Sequence, residues 1–319
     1  MKLNFSIIIP VYNRPNEIDE LLESLAKQDF QENFEVLIIE DGSSYKCDVV
    51  VEKYQENLNI RYFFKENSGA GNSRNFGMQQ ALGNYFIILD SDVILPSHFF
   101  SAIKKSLETN FTDAFGGPDT AHKTFTSLQK AINYSMTSLL TTGGIRGKKH
   151  AVGKFQPRSF NMGISKNAFE KNNGFSEMKI AEDIELTFRL WENGFETQLI
   201  PNAFVYHKRR GSLRDFFNQT YQFGKARPFL TQQYPQSAKI TYWFPSVFLI
   251  GFDFGILIAI FDYPQIMAIY GIYFIMIFID SLFQNKNAKV AILSIITTFT
   301  QFLGYGFGFL ESQFFNQKH

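Results

Sequence analysis

The sequence predicts an α/β domain with a mostly parallel central sheet, followed by a hydrophobic α-helical membrane region. Short apolar runs alternate with helical patterns over the first hundred residues of the 319-residue chain. That order is typical of a parallel sheet covered by helices on both faces. From residue 240 onward, charged side chains become sparse and long apolar stretches replace the alternation. We therefore expect a first domain at residues 1–228 and a membrane region at residues 229–319.

Four segments of the first region predict buried strands: residues 5–9, 34–39, 60–64 and 85–89. Each is rich in β-branched and aromatic residues, is too short for a helix and ends in turn-forming residues. Between the first two, residues 17–28 carry leucine and isoleucine at the spacing of one helix face. Two further segments, residues 49–56 and 73–82, fit the helical pattern less cleanly.

Polar residues follow these strands and predict a binding site. In parallel sheets, ligands bind outside the carboxyl ends of the strands. Tyr12 follows the first strand, Asp41 the second, and Asp90 and Asp92 the fourth. An aromatic ring, a lone carboxylate and a carboxylate pair suit a base, a ribose and a metal-bound diphosphate. Taken alone, however, Asp90-Ser91-Asp92 also has the composition of an ordinary turn.

Composition and charge exclude some classes of protein. The chain has 31 Lys and Arg against 30 Asp and Glu, so no nucleic-acid partner is expected, because such partners require an excess of basic residues on one surface. The single cysteine, Cys47, excludes an internal disulfide and fits a reducing compartment. No secretory signal is expected at the start, because the first apolar run is short and Pro10 interrupts it.

A glycine-rich loop at residues 68–77 begins like a dinucleotide-binding fingerprint. Arg74 stands where the third glycine of that fingerprint belongs, which disfavours a nicotinamide-dependent dehydrogenase. Arg74 suits a cation near phosphate, and the alternative is a solvated arginine at a helix start.

Two polar motifs downstream each allow two interpretations. Glu182 and Asp183 precede a predicted helix at residues 184–191, where acidic side chains stabilise the helix dipole, but a carboxylate there can also take a proton from an attacking hydroxyl. His207 follows a predicted apolar strand at residues 197–206. It can complete a metal site with Asp92, or it can be a packing or surface residue.

The last part of the chain predicts membrane helices. Three apolar stretches, each about 20 residues long and sufficient to cross the hydrocarbon core, are residues 243–261, 265–283 and 290–310. Two lysines between the second and third stretch indicate an inside loop. We therefore predict a multi-pass protein of the cell membrane with its first domain on the cytoplasmic face.

The basic stretch before the first span includes Lys225 and Arg227, which suit a donor diphosphate, a phospholipid acceptor or the anionic membrane face.

Several motifs occur in one order along residues 5–210: Ile7-Ile8-Ile9-Pro10-Val11-Tyr12-Asn13-Arg14, Glu40-Asp41-Gly42-Ser43, residues 69–75, Asp90-Ser91-Asp92, Asn161-Met162-Gly163-Ile164 and Ala181-Glu182-Asp183-Ile184-Glu185-Leu186. This ordered set resembles the family 2 glycosyltransferases of the GT-A fold, and it is far more specific than any one of its members.

The resemblance implies a role for each matching position. The donor-binding residues that it implies are Pro10, Tyr12, Asp41, Arg74 and Asp90. Tyr12 would lie near the base, and Asp41 would accept a hydrogen bond from it. Asp92 would be the principal ligand of a Mg²⁺ or Mn²⁺ ion that also binds the donor diphosphate. Asp183 would be the general base.

We therefore expect an inverting, metal-dependent glycosyltransferase. It would move a sugar from a nucleotide diphosphate sugar, with uridine as the expected nucleoside, to a hydroxyl of a lipid-linked or cell-envelope glycan acceptor. The alternatives are sugar transfer to polyprenyl phosphate and a non-catalytic membrane scaffold that binds nucleotide sugars. Residues 222–228 depart from the Gln-x-x-Arg-Trp motif of some polysaccharide synthases in the family, which disfavours processive polymerisation.

Overall fold

The computed structural model describes residues 2–143 and 154–315. The chain divides into two compact units. The α/β unit comprises Met1–His122 and Arg146–Lys208, and the helical unit comprises Lys123–Ile145 and Arg209–His319. The domain boundary expected at residue 228 stays a prediction.

All described strands belong to the α/β unit. In chain order they are β1 (Phe5–Val11), β2 (Glu35–Asp41), β3 (Asn59–Lys65), β4 (Tyr85–Leu89), β5 (Val93–Ile94), β6 (Ala114–Gly116), β7 (Asp119–Thr120), β8 (Asn161–Ser165), β9 (Thr197–Leu199) and β10 (Val205–His207). The larger sheet has the order β3-β2-β1-β4-β8-β6-β9. Strands β1 to β4 are parallel to one another, while β8 runs antiparallel to both of its neighbours. The mostly parallel sheet is thus confirmed.

The described helices fall into two groups. Those of the α/β unit are α1 (Pro15–Ala26), α2 (Asp48–Glu52), α3 (Ala70–Gln80), α4 (Phe99–Thr109), α7 (Lys166–Asn172) and α8 (Glu182–Glu192). Those of the helical unit are α5 (Ser127–Thr137), α6 (Leu139–Thr142), α9 (Leu213–Gln233), α10 (Phe244–Ala259), α11 (Gln265–Asn285) and α12 (Ala288–Phe314), with short 3₁₀ turns at Pro235–Ser237 and Ile240–Trp243.

The core of the α/β unit follows from the two-residue period of its strands. Every residue of β1 and β2 is buried. Ile7 and Ile9 of β1 belong to the apolar cluster that also contains the buried face of α1, whereas Ile8 belongs to the cluster on the opposite side of the sheet. Full burial of each such side chain contributes about 1.5–3 kcal/mol, so the sheet is fixed from both faces.

The strand predicted at residues 197–206 is wrong in one respect, because it is two strands. Strand β9 belongs to the larger sheet, and β10 lies in a second sheet of order β5-β10-β7. Pro201 lies between them and cannot donate a ladder hydrogen bond, which explains the interruption. Because of this break, His207 lies beside β5 and β7.

Three helices of the described chain are long and apolar enough to span a membrane: Ile240–Ala259, Gln265–Asn285 and Ala288–Phe314. They confirm the three stretches predicted from the sequence. Within this unit, α9 and α12 come into direct backbone contact at glycines. A Cβ on Gly308 would lie 2.0 Å from the carbonyl oxygen of Tyr221, and one on Gly224 would lie 2.1 Å from that of Tyr305. Small residues permit such close helix packing.

A carboxylate within α11 has partners inside the helical unit. The hydroxyl of Tyr134 donates to Oδ2 of Asp280 at 2.6 Å, and Ser138 Oγ donates to the same oxygen at 3.0 Å. These bonds compensate an acidic group in an apolar helix and attach α5 to α11.

Candidate active site

The strand order brings the predicted strand-end residues to one edge of the sheet. Strands β2, β1 and β4 are adjacent, so Asp41, Tyr12 and Asp90 follow neighbouring strands. The side chain of Tyr12 is 53% exposed, which leaves an aromatic face open to solvent. Pro10 is a buried residue of β1 and fixes the chain just before that ring.

Asp92 and His207 lie side by side because β10 pairs antiparallel with β5, with His207 opposite Val93. Nε2 of His207 lies 3.2 Å from Oδ1 of Asp92. One ligand atom from each of Asp90, Asp92 and His207 lies within 4.8 Å of the others. We call these three residues the Asp-Asp-His cluster.

The donor set of the cluster fits a divalent cation. Two carboxylates and an imidazole suit Mn²⁺, and carboxylates also suit Mg²⁺. Oδ1 of Asp92 is buried and makes no well-aligned hydrogen bond within the described residues, although Nε2 of His207 lies 3.2 Å away. A buried carboxylate oxygen without a well-aligned donor is costly, and a cation held between Asp92 and His207 would satisfy it.

Arg14 holds the other side of Asp92. Its guanidinium forms an ion pair with Oδ2 of Asp92 at the entrance to α1. Burial by itself would raise the pKa of Asp92, but the adjacent His207 and Arg14 outweigh it and hold that pKa well below its usual range. Asp92 is therefore ionised at neutral pH, as a metal ligand must be.

Arg74 is buried between two carboxylates. Its Nη2 donates to Oδ1 of Asp90 and its Nη1 to Oε1 of Glu182, each at 2.8 Å. The side chain is 4% exposed, so it is not the solvated arginine that one interpretation of the loop allowed. The guanidinium joins the Asp-Asp-His cluster to the start of α8, a positioning role that the sequence did not indicate.

Asp183 lies at the start of α8 and keeps acceptor capacity. Its Oδ1 accepts from the backbone amide of Ile184 at 2.8 Å and its Oδ2 from that of Ser159 at 3.2 Å. Each carboxylate oxygen can accept more than one hydrogen bond, so these bonds orient the group without saturating it. Burial raises the pKa of the neighbouring Glu182, and the charge of Asp183 raises it further.

The residue before this pair has an unusual backbone. Ala181 has φ +62°, in the left-handed region that a side chain makes unfavourable. Non-glycine residues in this conformation are frequent at functional sites, where the surrounding structure maintains the strain.

Asp41 binds the loop that leads into α3. Its carboxylate accepts from the amides of Ser68 and Gly69, each at 2.9 Å, and from the ammonium group of Lys65. Burial tends to raise the pKa of Asp41, but the hydrogen bonds from Lys65 and Ser68 prevail and lower it. Asp41 therefore organises the site, and its Oδ2 retains a lone pair for a ligand.

Lys225 and Arg227 lie in the helical unit, where each has a partner. Nζ of Lys225 is 3.1 Å from Oε1 of Glu311, and the guanidinium of Arg227 lies over the ring of Tyr242 at 4.7 Å from its centroid.

Sequence reasoning missed functional contacts whose members are far apart in the chain. The guanidinium of Arg14 reaches Asp92, and Asn13, with φ +54°, accepts hydrogen bonds through Oδ1 from the amides of Ser44 and Tyr45. A useful signal was present for Asn13 alone, because asparagine is enriched at left-handed positions.

Known proteins resemble this chain in sequence and in fold. The model of the family described as Glycosyl transferase family 2 matches residues 6–171. The chain belongs to this family. The resemblance seen in its motifs is thus confirmed.

This chain spans less than a fifth of the length of the curated relatives compared below. TarS of Staphylococcus aureus, a poly(ribitol-phosphate) β-N-acetylglucosaminyltransferase, is 42% identical over 93 residues, which are 28% of this chain and 16% of TarS. GgaB of Bacillus subtilis, a minor teichoic acid biosynthesis protein, is 31% identical over 103 residues, 31% of this chain and 11% of GgaB. An uncharacterized glycosyltransferase of Rickettsia felis is 40% identical over 105 residues, 33% of this chain and 17% of its own.

Solved structures confirm the GT-A-like fold. Residues 1–349 of S. aureus TarS in complex with UDP-GlcNAc align with a TM-score of 0.51 and 25% identity over 70% of this chain and 66% of that one. The mannosyltransferase PcManGT of Pyrobaculum calidifontis, in complex with GDP-Man and Mn²⁺, aligns with a TM-score of 0.56 and 15% identity over 75% of this chain and 66% of that one. At that identity, the second likeness shows the fold alone.

Proposed function

We propose that this glycosyltransferase moves a sugar, with inversion, from a UDP-linked donor to a hydroxyl of a cell-envelope glycan or lipid-linked acceptor. The observation that carries the proposal is the connection from the Asp-Asp-His cluster through Arg74 to Glu182, whose neighbour is Asp183. This connection supports the proposal, because it joins the residues proposed for the cation and the carboxylate proposed as the base within one network of the α/β unit.

The cluster would serve the departure of the diphosphate, and Asp183 would serve the attack by the acceptor hydroxyl. The bond from the anomeric carbon to a diphosphate oxygen breaks, and the acceptor oxygen bonds to the same carbon from the opposite face. A divalent cation at the cluster supplies stabilisation of the negative charge on the departing diphosphate. Asp183 takes the proton of the acceptor hydroxyl, and a single displacement inverts the anomeric centre.

The residues of the cluster hold their groups in position for this chemistry. Asp90, Asp92 and His207 would bind the cation, and Arg14 keeps the carboxylate of Asp92 oriented. Arg74 fixes Asp90 relative to the start of α8, which limits the geometric freedom of the reacting groups.

UDP as the donor nucleotide is supported by two observations. TarS, whose fold this chain shares, is known in complex with UDP-GlcNAc. The exposed ring of Tyr12 and the remaining acceptor capacity of Asp41 suit a stacked base that donates an N–H. Uracil presents such a donor.

The acceptor and location are supported by the helical unit. Its three apolar helices have the length and composition of membrane spans, and TarS and GgaB are named for ribitol-phosphate and teichoic acid glycans. Lys286 and Lys289 between the last two spans favour a cytoplasmic loop and, with it, a cytoplasmic catalytic domain. Retention of Asp92 and Asp183 argues against a scaffold, and the partners of Lys225 and Arg227 leave transfer to polyprenyl phosphate without specific support.

Nucleoside diphosphate release from a panel of nucleotide sugars tests the proposal. Detergent-purified protein would be assayed with and without Mn²⁺ and an envelope-lipid extract, beside Asp183→Asn. We expect metal-dependent release from a UDP-sugar, an inverted anomeric configuration in the product by NMR, and loss of turnover in Asp183→Asn with donor binding retained. Retained turnover in that variant would remove Asp183 from the role of base, and a retained configuration would exclude the single displacement.

A further inference from the structure

His207 lies between two carboxylates that face its two ring nitrogens. Nε2 is 3.2 Å from Oδ1 of Asp92, and Nδ1 is 3.6 Å from Oδ2 of Asp119. The side chain of Asp119 has no exposed surface, and Asp119 is not a member of the Asp-Asp-His cluster. Asp119 is therefore a fully buried carboxylate beside a ligand of the candidate cation site.

We propose that Asp119 is a positioning residue that fixes the tautomer and ring orientation of His207, so that Nε2 is directed at the cation. The proposal rests on the proposed function, which places a divalent cation at the cluster. A neutral imidazole carries its proton on one nitrogen only, and a carboxylate can only accept it. With a cation bound at Nε2, the proton of the neutral ring must lie on Nδ1, where the charge of Asp119 stabilises it, the arrangement common to metal-bound histidines.

The backbone fixes Asp119 beside His207. Strands β7 and β10 pair in parallel, with Asp119 opposite Val205, and the amide of Val205 donates to the carbonyl of Pro118 at 3.0 Å. Gly117 permits this approach, because a Cβ at that position would lie 1.8 Å from the carbonyl oxygen of Ala203. Asp119 therefore cannot withdraw from the imidazole without disrupting the small sheet.

The plane of the imidazole is restricted as well. The ring of Phe160 packs against His207, with centroids 4.8 Å apart and planes tilted by 33°. Phe160 limits the tilt of the imidazole ring, and Asp119 lies on the side of Nδ1. Together they account for a histidine held in one orientation toward Asp92.

Mn²⁺ affinity of the full chain in detergent tests the proposal, measured by electron paramagnetic resonance of free Mn²⁺. We expect Asp119→Ala to weaken binding about 10–100-fold, the usual cost of losing such a partner, and Asp119→Asn to weaken it less because its amide oxygen still accepts. Glu35→Gln is the matched control, since Glu35 is a buried carboxylate of the same unit that contacts Ser6 and Arg61. Its affinity should equal that of the wild type.

A double-mutant cycle shows whether Asp119 acts through His207. His207→Ala alone should weaken Mn²⁺ binding, and addition of Asp119→Ala to it should cause no further loss.

The outcomes separate this inference from the proposed function. Wild-type affinity in both Asp119 variants, or additive losses in the cycle, would overturn the role of Asp119 and leave the cation site intact. Equal Mn²⁺ binding by the wild type and Asp92→Ala would overturn the cation site itself, and the role of Asp119 with it.

Discussion

Arg74 binds two carboxylates that come from different parts of the chain, Asp90 after β4 and Glu182 at the start of α8. A guanidinium can direct separate N–H groups at both partners, whereas an ammonium group is a single point donor. Removal of one partner from a buried ion pair is strongly destabilising because it leaves an unpaired charge. The position of Asp183, the proposed base, therefore depends on Arg74, which binds its neighbour Glu182.

Arg74→Lys tests this dependence. We expect kcat to fall about 100-fold, the effect of a small misplacement of reacting groups, with a smaller change in the affinity for UDP. Arg61→Lys serves as the control, because Arg61 also bridges a carboxylate and a carbonyl, those of Glu35 and Gln80, but outside the candidate site. Steady-state kinetics of both variants test this role of Arg74. Equal kcat values for Arg74→Lys and Arg61→Lys would contradict it.

Glu35 provides a pH-dependent prediction. Burial by itself would raise its pKa, but hydrogen bonds from Ser6, the Leu82 amide and Arg61 outweigh burial and lower it. Because the pKa is lower in the folded state, Glu35 contributes stability above its unfolded pKa of about 4.3 and loses it as pH falls through the folded value. We expect Glu35→Gln to be destabilised by about 1–3 kcal/mol at pH 7.

Thermal unfolding of the wild type and Glu35→Gln between pH 7 and pH 3 measures this effect. The difference between the two melting temperatures should be largest near neutrality and should shrink below about pH 4.3. A difference between the two melting temperatures that widens on acidification would contradict the predicted direction of the pH dependence.

At the scale of elements, the left-handed Ala181 stores strain at the start of α8. Ala181→Gly should remove a steric cost of about 1–2 kcal/mol, in part offset by the greater freedom of glycine in the unfolded chain. We expect a small rise in melting temperature, measured by differential scanning fluorimetry. Ala168→Gly, in the interior of α7, should lower it instead. A fall in both variants would argue against strain at Ala181.

The packing of α9 on α12 makes a second prediction at this scale. Gly308→Ala would place a methyl group 2.0 Å from a backbone oxygen of α9, so the two helices must separate. Gly271→Ala in α11 is the matched control, since a Cβ there meets nothing within 4 Å. We expect a lower melting temperature for Gly308→Ala and an unchanged or slightly higher one for Gly271→Ala. Equal melting temperatures would contradict the backbone contact.

The elements that the sequence predicts well are those with local signals. Strands β1 to β4 follow from runs of β-branched residues, and the three long apolar helices follow from length and hydropathy. The break between β9 and β10 depends on Pro201 and on a second sheet whose strands are two or three residues long, too short for a periodic signal.

The residues of the candidate site also fall into those that the sequence alone indicates and those whose contacts only the structure reveals. Tyr12, Asp41 and Asp92 stand in motifs at strand ends and could be found from the sequence alone. The contacts of Arg14 with Asp92, of Arg74 with Glu182 and of Asp119 with His207 join residues about 80 to 110 positions apart. No local pattern encodes such pairs, because tertiary packing alone determines them.

At the scale of the whole molecule, the proposed membrane orientation is testable with one introduced cysteine at a time. Cys47 is buried, and burial raises the pKa of its thiol, so it should not react with a maleimide. In intact cells, Tyr263→Cys should react with an impermeant maleimide from outside, and Ala288→Cys only after the membrane is permeabilised. The reverse pattern would place the α/β unit outside.

Helix α5 belongs to the helical unit although it lies within the chain of the α/β unit. Its Ser135 bonds to Thr297 of α12 at 2.9 Å, and its Ile132 and Met136 pack with Phe216 of α9. During synthesis, α5 therefore leaves the ribosome long before its partners exist. A nascent chain that stops before α12 leaves this apolar face of α5 without a partner helix, a state prone to aggregation, so α5 reaches its final packing only when α12 is complete.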